Sequence, residues 1–112
     1  AIMDKLMAMI KPGVKVKDVA ALGDKLSDAS GYVSEALKTN WPYYGHSNGC
    51  MWEYPYIETR LCKDTDIFEE NMVASVESFF DRKGVGTAGY ETNYIVTKKG
   101  IEEITPVRDL WW

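Results

Sequence analysis

Ile2, Leu6, Met9 and Ile10 recur at the spacing of one helical face, and Lys11-Pro12-Gly13 then stops the rhythm. Proline disfavours helical backbone at the residue before it, and glycine opens positive φ. A second stripe, Val19, Leu22, Leu26, Ala29 and Val33, predicts a longer helix with Asp18 near the positive end of its dipole. Gly31 is expected to cap or kink it, and Thr39-Asn40-Trp41-Pro42 to end any continuation. From residue 43 the rhythm changes to β-type segments over 43–51, 72–80, 89–97 and 101–105. Asp81-Arg82-Lys83-Gly84-Val85-Gly86 reads as a turn between two strands, and Lys98-Lys99-Gly100 as a tighter hairpin. Two helices followed by antiparallel strands predict an α+β fold.

Composition narrows the class. At 112 residues, 46% hydrophobic and 27% charged, the chain is expected to form a single domain over 1–112, neither disordered nor collagen-like. Its apolar stretches fall well short of the ~20 residues that a membrane-spanning helix needs, so no membrane partner is expected. Thirteen Lys+Arg against seventeen Asp+Glu give a formal charge of -4, without a basic stripe to neutralise phosphates. Nucleic acid is therefore not an expected partner. Cys50 and Cys62 form no CxxC pair, which suits reduced thiols in a cytoplasmic protein. Asp4 and Lys5 interrupt the first ten residues, and a secretion signal would not carry them there. The chain opens on Ala1, already in helical rhythm, and is expected to be a piece of a longer protein.

Three residues are candidates for chemistry. His46 is the only histidine and lies in Tyr44-Gly45-His46-Ser47-Asn48-Gly49, between glycines that permit close backbone approach. Glu77 interrupts an otherwise apolar strand, and Glu91 precedes another apolar run. A carboxylate in such surroundings needs a partner, and a cation would serve. Each alone has a structural reading: a hydrogen-bonded histidine, a solvent-facing glutamate. Trp41, Tyr43, Tyr44, Trp52, Tyr54 and Tyr56 could line a pocket for a cationic or proline-like substrate, or could be core and interface packing. Met3, Met7 and Met9 read as core, and the apolar Leu110-Trp111-Trp112 is expected to dock on this domain or a neighbour.

In order along the chain stand Ile10-Lys11-Pro12-Gly13-Val14, Gly45-His46-Ser47-Asn48-Gly49, Pro55-Tyr56, Met72-Val73-Ala74-Ser75-Val76-Glu77, Tyr90-Glu91 and Ile95-Val96-Thr97. This succession resembles the C-terminal half of the pita-bread enzymes, which include methionine aminopeptidase, prolidase, Xaa-Pro aminopeptidase and creatinase. The resemblance implies two helices packed on a curved antiparallel sheet. It implies that His46, Glu77 and Glu91 are metal ligands, three of a five-residue set whose two aspartates would precede the first helix. The implied cofactor is one or two divalent ions (Mn, Co, Fe or Zn), and whether the three donors alone hold any ion is left open. Their side chains are expected to converge within a distance on the order of 5 Å.

The function implied is metal-dependent hydrolysis of a C–N bond by activated water, as in Xaa-Pro peptidases and aminopeptidases, with this chain alone inactive. Where peptidase members carry a His-Glu pair before the proline matching Pro55, this chain has Glu53-Tyr54. These two are the candidate catalytic residues. An ionised carboxylate cannot donate a hydrogen bond to a developing oxyanion, so two further readings stay open. One is a creatinase-like amidinohydrolase or dimethylsulfoniopropionate-lyase-like enzyme acting on a small cationic substrate, with the glutamates holding the substrate in place of metal. The other is a non-catalytic interaction domain. A small peptide or a small cation is the expected substrate, and a homodimer the expected assembly.

Overall fold

A computed structural model describes residues 2–49 and 52–105. Helices α1 (Ile2–Met9), α2 (Val16–Ser30) and α3 (Glu35–Asn40) precede strands β1 (His46–Asn48), β2 (Trp52–Tyr56), β3 (Val73–Arg82), β4 (Gly86–Thr97) and β5 (Gly100–Glu103). The strands form one antiparallel sheet in the order β2-β1-β3-β4-β5. Alternation along β3 and β4 separates two faces. Ala74, Val76, Tyr94 and Val96 join Met3, Leu6, Val16, Val19 and Ala20 of the helices in a continuous core. Ser75, Glu77, Glu91 and Asn93 fall on the opposite face. The α+β expectation holds, with helices on one face of the sheet.

Several details differ from the sequence reading. Helix α2 stops at Ser30, with Gly31 as its left-handed cap, so Val33 lies beyond it. Its buried stripe is Val16, Val19, Ala20, Gly23 and Ser27, whereas Leu22 and Leu26 are half-buried and Ala29 is exposed. The face is built of small residues because the bulk comes from elsewhere: a Cβ on Gly23 would stand 2.6 Å from the Tyr44 ring. Large-residue periodicity therefore points to a neighbouring face. The third helix, α3, arises because Ser34 caps it, its Oγ accepting from the Leu37 N–H at 3.1 Å, with Glu35 in the first turn. The single strand expected over 43–51 is the three-residue β1, paired with a β2 that carries Pro55 at the sheet edge, where a missing N–H is tolerated. The β3–β4 hairpin runs farther than expected, to Arg82 opposite Gly86, leaving 83–85 as the turn. Cys50 and Leu110-Trp111-Trp112 lie outside the described residues; Cys62 is a buried free thiol.

Candidate functional site

Gly45 sets the geometry of the site. Its φ is +146°, and a Cβ there would lie 1.9 Å from the Ser75 carbonyl oxygen, so only glycine lets β1 approach β3 this closely. The Glu77 N–H donates to the Tyr44 carbonyl at 3.0 Å across the same seam. The break in alternation at Gly45 also sends its neighbours to opposite sides of the sheet. The Tyr44 ring packs on Gly23 of α2, and His46 faces Glu91.

His46 is buried, 3% exposed. Its Nδ1 lies 3.1 Å from the Ser47 carbonyl oxygen, which can only accept, so Nδ1 is the donor of that contact and Nε2 is the ring nitrogen turned to the site. That Nε2 is 3.9 Å from Glu91 Oε1. Glu77 and Glu91 are directly opposed in the β3–β4 register and share a face. The two carboxylates differ in environment. Glu91 is partly open to solvent, whereas Glu77 is 2% exposed and its Oε1 has no hydrogen-bond partner. Burial, then the charge of Glu91, push the Glu77 carboxyl up to about 7, against a smaller opposing pull from the Trp41 side chain.

The neighbouring rung carries Ser75, wholly buried with an unpartnered Oγ, opposite Asn93, whose Oδ1 accepts from Asn48 Nδ2 at 2.6 Å. Trp41 reaches this face by stacking edge-on against Phe79 at 5.5 Å. From Trp41 a row of edge contacts continues through Tyr43 and Tyr56 to Tyr54, at 5.6, 5.8 and 6.0 Å. Neither Ser75 nor the link between Trp41 and Glu77 was foreseen from sequence. Both depend on which strands become neighbours, and the only local signal was a serine two residues before an isolated glutamate.

The donor chemistry fits a divalent transition-metal ion: an imidazole, an exposed carboxylate and a buried carboxyl with an orphaned oxygen. The number of donors is short. His46 and Glu91 meet, and Glu77 stands opposite Glu91, yet no three His, Cys, Asp or Glu side chains among the described residues are placed to hold an ion by themselves. Tyr54 is half-exposed and engaged elsewhere: its hydroxyl donates to Asp66 Oδ2 and accepts from the Lys63 N–H at 3.2 Å, with Lys63 Nζ 5.4 Å over the ring. The Glu53 backbone pairs with Ser47, and its side chain, like that of Trp52, is outside the described part.

The sequence pattern of metallopeptidase family M24 matches residues 1–98, which include His46, Glu77 and Glu91. Among solved structures, the prolidase from Pyrococcus horikoshii OT3 superposes with a TM-score of 0.73 at 21% identity, over 91% of this chain and 28% of its own. The Xaa-Pro dipeptidase from Bacillus anthracis gives 0.68 at 27% identity, over 94% of this chain and 29% of its own. The methionine aminopeptidase from Thermotoga maritima gives 0.67 at 20% identity, over 91% and 47%. The chain thus spans between about a quarter and a half of the length of the structures it resembles. No curated protein sequence matches it. These structures share the pita-bread fold implied by the order of motifs, and the family pattern runs through most of the chain: it belongs to metallopeptidase family M24.

Proposed function

We propose that this chain supplies the His46, Glu77 and Glu91 part of the active centre of a metal-dependent hydrolase that cleaves a peptide-type C–N bond. The observation that carries the reading is the buried Glu77 carboxyl with its orphaned Oε1, opposed by Glu91 with the His46 Nε2 beside it. A fold gains nothing by burying such a group unless something cationic satisfies it. The three donors are a partial set, completed by carboxylates from outside these 112 residues.

A divalent ion held there supplies a water of lowered pKa as nucleophile. The chain's own residues position and shield that centre. The Nδ1–H contact with Ser47 fixes the tautomer that makes His46 a donor, and Asn48 with Asn93 locks the adjoining rung. Trp41 and Phe79 wall the buried side of Glu77. A peptide substrate lies along the exposed side of Glu91, with the ring row from Trp41 to Tyr56 against its side chain.

A complete protein containing this chain, assayed on Xaa-Pro dipeptides with Mn or Co, is expected to turn them over, whereas the 112 residues alone show no peptide cleavage. His46→Ala and Glu91→Gln in that protein should each lower kcat/KM by about 100-fold or more with an unchanged circular dichroism spectrum. Undiminished turnover in His46→Ala would refute the assignment.

Glu53 favours a second reading. A carboxylate in place of an oxyanion-stabilising histidine suits a small cationic substrate better than a peptide carbonyl. Turnover of an amidine or sulfonium compound, with none of any dipeptide, would establish that alternative.

A further inference from the structure

On the helix side of the molecule a cavity of about 250 Å³ lies between α2, α3, the 41–44 segment and residues 58–60. It shares no residue with the three donors. At its wall stands Asp24 of α2, whose two carboxylate oxygens are held by hydroxyls from two other parts of the chain. Tyr44 donates to Oδ1 at 3.0 Å and Thr59 to Oδ2 at 3.0 Å. Tyr44 reaches that position only because residue 23 is glycine. Three separate segments thus cooperate to aim one half-buried carboxylate, far more organisation than a solvated surface aspartate needs.

The local cations are engaged first with other carboxylates, and the Arg60 charge acts on Asp24 only from a distance. Arg60 Nε is committed to Glu58 at 2.6 Å, and Lys38 to Asp28 and to Glu35, the latter at 2.9 Å. Among the described residues no lysine or arginine forms an ion pair with Asp24. Trp41, Tyr43 and Phe79 line the same space, and Trp41 is in edge contact with both others. Ser78 also lines it and is 5% exposed, with a hydroxyl that has no partner. A half-buried carboxylate without an ion pair of its own, sharing a cavity with aromatic rings, is the recognition chemistry of an organic cation: the charge meets the carboxylate and the rings, and the alkyl part lies on the ring surfaces. The volume exceeds the ~150 Å³ that accepts benzene and lies below the ~300 Å³ of the smallest drug-sized pockets, so the occupant is small. Thr39 and Arg60, both exposed, stand at its boundary and leave it reachable from solvent.

We propose that this cavity binds a small alkylammonium or alkylguanidinium ion, its charged end on Asp24 and its alkyl end against Trp41 and Phe79. The cavity shares Trp41 and Phe79 with the wall of Glu77 but none of the three donors, and its occupant does not depend on the hydrolase reading.

The test is titration of the isotope-labelled chain with butylammonium, butylguanidinium and neutral 1-butanol, followed by NMR. The cations are expected to give saturable shifts of the Asp24, Tyr44 and Thr59 amides and the Trp41 indole N–H, with 1-butanol weaker by about tenfold or more. Asp24→Asn, which keeps one acceptor oxygen and offers the second hydroxyl an amide donor to accept from, should remove that preference for cations. Trp41→Leu, a second variant remote from the Asp24 network, should weaken all three ligands. Equal binding of 1-butanol would reduce the site to an apolar void. Shifts centred on Glu77 and Glu91 would move the cation to the donor face. Absence of saturable binding by the folded wild-type chain would overturn the proposal outright.

Discussion

Two residues decide whether the donor face exists. At Gly45, an added Cβ meets the Ser75 carbonyl while the backbone holds a conformation that side chains rarely adopt. Strain of that kind costs about 1–3 kcal/mol before the clash is counted. Gly45→Ala is therefore expected to destabilise the chain by at least about 2 kcal/mol in urea unfolding, and to separate β1 from β3 so that Glu77 loses protection of its amide from exchange. At Glu77 the expectation has the opposite sign. Burying this carboxyl opposite Glu91 opposes folding when no cation is present, so Glu77→Gln should stabilise the metal-free chain at pH 8 by about 1–2 kcal/mol. Thermal unfolding of the two chains in chelator checks it. A less stable Glu77→Gln chain would mean that the carboxylate is structural.

At the scale of elements, α3 is held to the sheet through Asp81. Its Oδ1 accepts from the Ser34 N–H at 2.7 Å, and its own N–H donates to the Tyr32 carbonyl at 2.8 Å. The Ser34 contact holds the Asp81 carboxyl below its ordinary value of 3.8. A carboxyl lowered by folding adds stability that is present above its unfolded pKa and lost as pH falls through the folded one. Acidification below about pH 4 should accordingly loosen α3 before the β3–β4 hairpin, and Asp81→Asn should produce that loosening at neutral pH. Amide exchange of Leu37 and Lys38 against Val76 and Thr92 reads the difference. The same elements show what sequence could reveal. Long strands with β-branched runs and the Lys11-Pro12-Gly13 stop were legible because their signals are local. Helix α3, strand β2 and the small-residue face of α2 were not. A six-residue helix has little periodicity, β2 exists only because β1 offers it an edge, and α2 is shaped by a tyrosine twenty-one residues away from Gly23.

For the whole molecule, the sheet and helices bury a continuous core within these residues, at a radius of gyration of 13.7 Å against the ~13 Å expected of a compact chain this size. No helix among the described residues is long and apolar enough to cross a membrane. The three candidate ligands were legible singly, Glu77 as a carboxylate in an apolar strand, Glu91 as one just before an apolar run and His46 as the only histidine, set between glycines. Their relative placement was not, because it follows from strand order and from the Gly45 break. The family assignment and the donor chemistry agree, while no three ligating side chains among the described residues are placed to hold an ion by themselves. The central claim is therefore that His46, Glu77 and Glu91 form a genuine, weak half-site rather than a buried polar remnant. Titrating Mn²⁺ into the isotope-labelled chain tests this most directly, since a paramagnetic ion broadens the resonances nearest to it. The account predicts that signals of His46, Ser75, Glu77 and Glu91 disappear first, and that His46→Ala abolishes this order. Broadening centred instead on the exposed carboxylates Asp64, Glu69 and Glu70, with His46 untouched, would contradict it.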